Sequence, residues 1–329
     1  MAAILGFKNY SMGFKDSKGN VYNLLDRVSI NIQQGKALGI VGESGCGKSM
    51  TSLSVMRLLP KQAVVQGGEI VFQNEGQNED LLQKTEREMQ SIRGKKISMI
   101  FQEPMTSLNP VLSIGFQLSE SYLTHHPGAS KAEALRRAKE SLEMVEVANA
   151  QSRLSQFAHE FSGGMRQRVM IAMALICDPE LLIADEPTTA LDVTIQMQIL
   201  DVMKDLKSKC SFMVITHNLG VVAELCEDVV VMYAGNVVES GSLAEIFDSP
   251  AHPYTRGLMA AIPTLATDKK ELYTIPGSVP NIGDFGEGCR FAGRCEHNTP
   301  QCLAQKPELA LLPGRNHNVA CWQVKDLRG

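Results

Sequence analysis

The chain has 329 residues, enough for two domains, and its content of 44% hydrophobic and 5% aromatic residues is typical of an α/β protein. The formal net charge of −4 and the pI near 6.0 argue against a general nucleic-acid binder, which usually carries a strong basic excess. No apolar run approaches the roughly 20 residues that cross a bilayer, and the start of the chain lacks a secretory signal pattern. We therefore expect any work at a membrane to proceed from the cytosol through partners.

In chain order, most of the sequence alternates between strand and helix patterns. Two alternating β segments come first, over 4–14 and 23–32, joined by a stretch of turn composition. A short apolar strand at 37–41 leads into a glycine-rich loop, and a helix over 50–59 follows until Pro60 ends it. Further strands are predicted at 69–72, 97–101, 181–184, 212–216 and 229–233, and helical regions at 113–147, 161–176 and 195–207. This alternation predicts an α/β fold with a mostly parallel sheet and helices on both faces.

The character of the chain changes around residues 240–253, where Pro, Gly and Cys become denser and the periodicity fades. We place a domain boundary there. It predicts a larger domain over 1–245 and a small, loop-rich extension over 246–329. The charged helical part is predicted to be an insertion of the larger domain, over about 103–175.

Residues 42–49 form a Gly-x-x-x-x-Gly-Lys-Ser loop between a strand and a helix, the context of a Walker A phosphate loop. Glycines let successive backbone N–H groups wrap an anion, and the helix N-terminus adds a positive dipole end. Lys48 is predicted to reach the β- and γ-phosphates, and the Ser49 hydroxyl to bind Mg²⁺. The flanking strand and helix disfavour a chance glycine turn. The predicted ATP-binding residues here are Gly42, Glu43, Ser44, Gly45, Cys46, Gly47, Lys48, Ser49 and Met50.

The apolar run at 181–184 ends in Asp185 and Glu186, which fits a Walker B strand. Such a strand would deliver Asp185 to Mg²⁺ and ATP, and place Glu186 as the general base that polarises the attacking water. An apolar run that ends in two acidic residues is weak evidence alone, but it becomes strong beside a Walker A loop.

The run Ser162-Gly163-Gly164-Met165-Arg166-Gln167 resembles the signature motif of ABC transporters, with Phe161 where leucine is commonest. Over about its first 240 residues the chain resembles the ATP-binding subunit of an ABC transporter. The resemblance implies a RecA-like mixed sheet with an antiparallel β subdomain and a helical subdomain. It also implies a dimer, because one subunit's signature covers the ATP of the other. Ser162, Gly163, Gly164 and Gln167 would then contact the partner's ATP.

The same resemblance implies roles for residues outside these motifs. Gln102 is similar to the Q-loop glutamine, which binds Mg²⁺ or the attacking water, and His217 to the switch histidine at the γ-phosphate. Residues 190–192 resemble the D-loop, so Asp192 would lie at the dimer interface. Phe14, rather than Tyr22, would stack on the adenine. The implied catalytic residues are Glu186, His217 and Gln102, and the implied Mg²⁺ ligands are Ser49, Gln102 and Asp185.

Four of the eight cysteines crowd the end of the chain, at Cys289, Cys295, Cys302 and Cys321. Without an export signal, a disulfide framework is disfavoured and a metal site becomes the leading interpretation. Four thiolates can bind Zn²⁺ or an iron–sulfur cluster, and the gaps are longer than the usual zinc knuckle. From the spacing alone, zinc, an iron–sulfur cluster and free thiols all remain open.

The tail carries a second resemblance. Residues 252–258, 275–277 and 288–289, together with 103–110 after Gln102, are similar to oligopeptide and dipeptide importer ATPases. Members of that family with this cysteine pattern are associated with a [4Fe–4S] cluster. The resemblance therefore favours a [4Fe–4S] cluster of structural role, with zinc as the alternative.

The two resemblances together imply an ATPase, converting ATP and water to ADP and phosphate, that energises di- and oligopeptide import. The implied partners are a second ABC ATPase, a paralogue rather than a copy, two transmembrane permeases that receive the segment 103–120, and indirectly a solute-binding protein. No nucleic-acid partner is expected. The implied location is peripheral, on the cytoplasmic face of the cell membrane. The alternatives are a non-peptide solute such as nickel, an opine or haem, and a soluble ABC ATPase of DNA repair or translation.

Overall fold

The computed structural model describes residues 3–102, 107–189, 191–262 and 273–324. The strands within these ranges are β1 (Ala3–Lys15), β2 (Val21–Gln33), β3 (Ala37–Val41), β4 (Ala63–Asn74), β5 (Gln77–Asp80), β6 (Ile97–Ile100), β7 (Leu181–Asp185), β8 (Ser211–Ile215), β9 (Asp228–Tyr233), β10 (Asn236–Ser242), β11 (Ala310–Leu311) and β12 (Asn318–Val319). The helices are α1 (Lys48–Met56), α2 (Glu86–Ile92), α3 (Ile114–His125), α4 (Lys131–Met144), α5 (Ala150–Arg153), α6 (Gly163–Leu175), α7 (Val193–Leu206), α8 (Leu219–Leu225), α9 (Leu243–Asp248), α10 (Pro253–Ala260) and α11 (Pro300–Ala304).

The predicted strands and long helices are present, but several bounds differ. The helix expected over 50–59 begins at Lys48 and ends at Met56, because Arg57 takes a left-handed φ of 49° and its N–H bonds back to the last turn. The short strand expected at 69–72 extends over 63–74, because β4 pairs with β1 along most of its length. Sequence periodicity shows a strand's apolar face, whereas its full length depends on the neighbouring strand.

By their internal contacts the residues fall into two compact units. The first unit comprises Met1–Ile4, Ile32–Ala37 and Gln83–Ile215, and the second comprises Leu5–Asn31, Leu38–Leu82 and Thr216–Gly329. Residues from both sides of the predicted 245/246 boundary thus share the second unit. The division into domains over 1–245 and 246–329 therefore stays a prediction.

The first unit contains the parallel strands β8, β7 and β6, in that order. Leu181 pairs with both Ile97 and Ser211, and β7 is buried along its whole length. The helices α3, α4 and α6 supply apolar faces to this unit, with Leu118 and Leu142 fully buried. A strand enclosed on both faces reads as an unbroken apolar run, which is why β7 was visible in the sequence.

The second unit contains an antiparallel sheet in the order β2-β1-β4-β5 and a run of strands in the order β11-β12-β10-β9-β3. Here β3 and β9 are parallel, whereas β10 pairs antiparallel with β9. The hairpin between β9 and β10 turns on Ala234 and Gly235, with φ of 46° and 79°. Two consecutive positive φ angles define a turn whose twist matches a hairpin. The strand β10 was missed because the prediction favoured parallel crossovers.

The end of the chain joins this unit by strand addition and by one buried carboxylate. β12 pairs with β10, with Glu239 opposite Val319. The Glu239 carboxylate, fully buried, accepts from the N–H groups of Ala251 and His252 at 2.7 and 2.8 Å and lies 2.6 Å from His317 Nε2. A buried carboxylate is tolerated because its lone pairs are satisfied in this way. No helix of the described ranges is long and apolar enough to cross a membrane.

Candidate functional site: a phosphate-binding loop and two acidic residues at a strand end

The phosphate loop joins β3 to α1 in the second unit. Gly42, Gly45 and Gly47 all have positive φ, of 153°, 78° and 99°. A Cβ on Gly42 would lie 2.2 Å from the Met232 carbonyl oxygen, whereas one on Gly45 would meet nothing within 4 Å. Gly42 therefore serves close backbone packing, and Gly45 is at an open, exposed turn of the loop. An accessible glycine backbone is what close approach of a phosphate requires.

Lys48 points back into this loop. Its Nζ donates to the carbonyl oxygens of Gly42 and Glu43 at 2.7 and 3.0 Å, and the residue is only 7% exposed. Thr51 Oγ1 donates to the Gly47 carbonyl oxygen, which fixes the first turn of α1. The structure thus gathers the predicted loop residues around one buried ammonium group. Cys46, within the loop, is buried, and burial raises the pKa of its thiol.

His217 and Phe14 also belong to the second unit. His217 is exposed and follows Thr216, whose N–H donates to the Ile40 carbonyl oxygen of β3 at 3.2 Å. This bond places His217 beside the strand that leads into the phosphate loop. Phe14 lies half-buried on β1, opposite Ala63 of β4. Tyr22, the alternative adenine contact, is 40% exposed and its hydroxyl faces Asp16.

Asp185 ends strand β7 in the first unit, and Glu186 follows it directly. Both are buried, at 3% and 9% exposure. Glu186 has φ of 53°, a left-handed conformation that is unusual for a residue with a side chain, and its N–H donates to the Ile215 carbonyl oxygen at 2.8 Å. Its Oε2 accepts from the Thr189 hydroxyl at 2.6 Å. Strand register and this bond hold the carboxylate at a defined position. The sequence analysis did not single out Thr189.

The signature residues start α6 in the first unit. Ser162 is the N-cap, and its Oγ accepts from the Met165 N–H at 3.3 Å, while Ser162 and Gly163 remain exposed. A Cβ on Gly164 would lie 2.5 Å from Ile195 Cγ2, so glycine lets α6 approach α7. Gln167 is buried, and its Nε2 donates to the Pro187 carbonyl oxygen at 2.6 Å. The structure therefore joins the signature helix to the segment after Glu186.

Two further predicted residues lie in the first unit. Asp192 caps α7, because its Oδ1 accepts from the Ile195 N–H at 3.0 Å. Gln102 follows β6 and is exposed. Residues 103–106, which begin the predicted permease-docking segment and belong to the importer-like stretch 103–110, and Ala190 of the predicted D-loop lie outside the described residues.

The sequence analysis missed two side chains that hold the phosphate loop from the C-terminal part of the chain. Arg294 contacts the Glu43 carboxylate with both terminal nitrogens, at 2.5 and 3.1 Å, and this hydrogen bonding raises the pKa of its guanidinium. The Tyr254 hydroxyl accepts from the Glu43 N–H at 2.9 Å. Arg294 and Glu43 are 251 residues apart, and no local pattern signals such a pair.

The four C-terminal cysteines share one neighbourhood but do not form a ligand set. The pKa of Cys289 is raised to about 11, first by burial and then by the charges of the other three thiols. The Cys289 N–H donates to the Cys302 carbonyl oxygen at 2.7 Å. Nevertheless, no group of three or more His, Cys, Asp or Glu side chains within the described ranges could hold a metal ion. The thiols as placed therefore do not fit the predicted metal centre.

The loop itself fits a phosphate group. Its buried ammonium, its open glycine turn and the start of α1 together offer positive charge and backbone donors. The donor types of Ser49 and Asp185, a hydroxyl and a carboxylate, are those that Mg²⁺ prefers. The loop thus suits the phosphates of a nucleotide triphosphate, and each of these two donor groups, taken within its own unit, suits the accompanying metal ion.

Comparison with known proteins agrees with this chemistry. Residues 25–189 match the family model described as ABC transporter, and residues 238–302 match the oligopeptide/dipeptide transporter C-terminal region. Two dimeric structures, one titled a bacterial ABC transporter cassette and one a post-hydrolysis ATP-binding cassette bound to ADP and Pi, superpose with TM-scores of 0.64 and 0.63. Each is 28% identical and covers 73% of this chain and 98% of that chain. The predicted ABC-type nucleotide-binding fold is confirmed.

Relatives match over nearly the whole chain. A Sinorhizobium fredii protein with the name "probable peptide ABC transporter ATP-binding protein" is 50% identical, and the match covers 94% of this chain and 91% of that protein. The dipeptide transport ATP-binding protein of Bacillus subtilis is 46% identical over 98% of this chain and 95% of its own length. The oligopeptide transport ATP-binding protein of the same organism is 47% identical over 97% and 88%. The chain therefore belongs to the ABC transporter family, as an ATP-hydrolysing subunit of its oligopeptide/dipeptide transporter branch.

Proposed function

We propose that this chain hydrolyses ATP to energise the import of di- and oligopeptides across the cytoplasmic membrane. The observation that carries the proposal is the match of residues 238–302 to the oligopeptide/dipeptide transporter C-terminal region, beside relatives named for dipeptide and oligopeptide transport. The predicted peptide importer agrees with both comparisons.

The roles proposed for individual residues follow their chemistry. Lys48 binds the β- and γ-phosphates, and Ser49, Gln102 and Asp185 are ligands of Mg²⁺, which supplies charge neutralisation on the phosphates when bound. Glu186 accepts the proton of the attacking water, and its bond from Thr189 supports its orientation.

Four further residues, on a strand, in a loop and at helix starts, complete the proposed site. His217 contacts the γ-phosphate and Phe14 the adenine. Ser162 offers an exposed hydroxyl at a helix start to the partner subunit's ATP, and Asp192 lies at the interface between the two subunits.

The proposed partners are a second ABC ATPase of related sequence, two transmembrane permeases and, indirectly, a solute-binding protein. The proposed location is the cytoplasmic face of the membrane, held by the permeases. A mild-detergent pull-down of the chain from its own membranes, followed by mass spectrometry, tests this. We expect two multi-span permeases and a second ATPase. Recovery with ribosomes or DNA would contradict the proposal.

The transported solute is tested by uptake in cells that lack this chain. We expect the parent chain to restore uptake of labelled dipeptides and oligopeptides, and Lys48→Ala to fail because the triphosphate loses its main cationic contact. Binding of the Lys48→Ala chain to membranes serves as the control for assembly. If the chain restored uptake of nickel, an opine or haem but not of peptides, that solute and not a peptide would be the transported one.

We also propose that Cys289, Cys295, Cys302 and Cys321 bind a [4Fe–4S] cluster of structural role. Its support is the common neighbourhood of the four thiols in a loop-rich segment and the thiolate chemistry of such clusters. Binding requires the thiols to approach one another and lose their protons. Anaerobic purification with iron, sulfide and zinc analysis tests it. We expect about four irons and four sulfides per chain, whereas one zinc or neither metal would reject it.

A further inference from the structure

Three basic side chains of the C-terminal segment reach the surroundings of the phosphate loop. Arg290 donates to the carbonyl oxygens of Leu24 and Ala234, and Lys306 bonds the Asp26 carboxylate at 2.5 Å. These two contact segments that flank the loop, whereas Arg294 contacts Glu43 in the loop itself. All of these residues belong to the second compact unit.

Contacts other than the one with Glu43 hold the Arg294 guanidinium in place. Its Nε donates to the Pro276 carbonyl oxygen at 2.8 Å and its Nη2 to the Ile275 carbonyl oxygen at 3.1 Å. The side chain is 7% exposed, and the Glu43 side chain 29%. Because these backbone contacts fix the planar guanidinium, the Glu43 carboxylate can pair with both of its terminal nitrogens in only one orientation. The position of Arg294 therefore fixes the position of the Glu43 side chain, which an exposed ion pair would not do.

Glu43 is held at three points. Arg294 holds its carboxylate, and Tyr254, fully buried against the ring of Tyr233, holds its N–H. Its carbonyl oxygen accepts from Lys48 Nζ at 3.0 Å. A continuous path of hydrogen bonds thus runs from the C-terminal segment through one loop residue to the ammonium group that meets the phosphates.

We propose that Arg294 is a positioning residue for ATP binding, which acts through Glu43 to hold the loop and Lys48 in the conformation that accepts the triphosphate. The C-terminal segment is then part of the nucleotide site. The proposal rests on ATP binding by the loop and is independent of the solute that is transported.

The test uses the full chain and measures its equilibrium affinity for a fluorescent ATP analogue, together with KM and kcat for ATP in the membrane complex. We expect Arg294→Ala to weaken ATP affinity and raise KM by about fivefold to tenfold, roughly the loss of one charge-assisted contact. We expect kcat to change by less than about twofold, because the hydrolytic groups are untouched. Arg294→Lys, with charge but no fork, should lie between the two.

A double-mutant cycle separates positioning from general damage. If Arg294 acts through Glu43, the double variant Glu43→Gln with Arg294→Ala should bind ATP no more weakly than Arg294→Ala alone. If the two substitutions acted independently, their losses of ATP-binding free energy would add. Additive losses, or an unchanged KM in Arg294→Ala, would overturn the proposal. If Arg294→Ala does not fold, the Arg294→Lys and Glu43→Gln variants give the same comparison.

Lys306→Ala is the matched control. It removes an ion pair of the same kind between the C-terminal segment and the flanking Asp26, at 2.5 Å, without touching Glu43. We expect it to lower the thermal midpoint and leave the ATP affinity unchanged. Equal loss of affinity in Lys306→Ala and Arg294→Ala would show that loosening the segment is sufficient, and would reject a specific role for Arg294.

Discussion

Glu186 combines a buried carboxylate with a left-handed backbone conformation. Its φ of 53° is costly for a residue with a side chain, by about 1–3 kcal/mol, and is maintained by the N–H bond to Ile215 and the contact with Thr189. Strain that the surrounding structure maintains often accompanies a functional position. Asp185, one residue earlier, ends a regular strand and does not share this strain.

Glu186→Gln is expected to keep ATP binding and to lower the rate of hydrolysis by about 10²- to 10⁴-fold, because an amide of the same shape cannot accept the proton. Nucleotide affinity and single-turnover hydrolysis measure the two effects. Asp201→Asn, which neutralises an exposed carboxylate on α7, is the control. Hydrolysis at the parent rate in Glu186→Gln would show that another group is the base.

His252 gives a pH dependence of stability. Burial lowers its pKa to about 3, and the charge of Arg256 adds to this. Its ring Nδ1 accepts from the Tyr254 backbone N–H, and its backbone N–H donates to the Glu239 carboxylate. Between pH 6.5 and about 3 the unfolded chain binds a proton at this histidine and the native chain does not. Stability from this group is therefore complete above pH 6.5 and falls as the pH drops through that window.

His252→Asn is expected to reduce this dependence, because asparagine can still cap α10 but does not titrate. The measurement is the thermal midpoint between pH 7 and pH 4 for both chains. The parent should lose more stability over that range than the variant, although the variant starts lower because it leaves a cavity. Parallel curves would mean that His252 does not set the dependence.

At the scale of elements, the hairpin of β9 and β10 determines how the C-terminal segment attaches. Its turn places Gly235 against β2, where a Cβ would lie 1.6 Å from the Leu24 carbonyl oxygen. The Gly235 N–H donates to the Cys46 carbonyl oxygen at 2.8 Å, so the same turn supports the phosphate loop. A glycine is needed here for its positive φ and for the close approach of two backbones.

Gly235→Ala is expected to lower the free energy of unfolding by more than about 2 kcal/mol, since strain and displacement of β2 combine. Gly76→Ala is the matched control, because Gly76 also has a positive φ, of 83°, but nothing within 4 Å of the added Cβ. The free energies of unfolding of both variants, measured with denaturant, separate the steric overlap with Leu24 from the strain of the positive φ. Equal losses would show that φ strain alone is responsible.

At the scale of the whole molecule, the second unit is built from distant parts of the chain. It combines Leu5–Asn31, Leu38–Leu82 and Thr216–Gly329. The Glu239 side chain on β10 accepts from the backbone N–H groups of Ala251 and His252 and contacts His317 Nε2, and all three partners follow the predicted boundary. A buried carboxylate that loses its donors is strongly destabilising. The C-terminal segment is thus needed by the rest of its unit.

A chain that ends at residue 245 is therefore expected to be unstable, with a much lower thermal midpoint or poor solubility. Co-expression with the separate segment 246–329 should restore part of the stability, because the same donors return. Soluble yield and thermal unfolding measure both effects. A truncated chain with the parent's midpoint would show that the larger predicted domain is stable alone.

The sequence by itself determined the fold family and the predicted chemistry of the nucleotide site. The glycine loop, the acidic strand end and the signature run are local patterns, because each needs particular residue types at fixed spacing on one element. For the same reason β7, buried on both faces, and α6, started by its Ser162 cap, were found close to their final bounds.

Tertiary structure decided what lies beside these motifs. Arg294 meets Glu43 across 251 residues, and β10 turns back antiparallel on a two-residue hairpin. The four thiols share one region without reaching metal-binding geometry in the described ranges. Local spacing cannot encode such outcomes, because they depend on which distant side chains the folded backbone brings within contact distance.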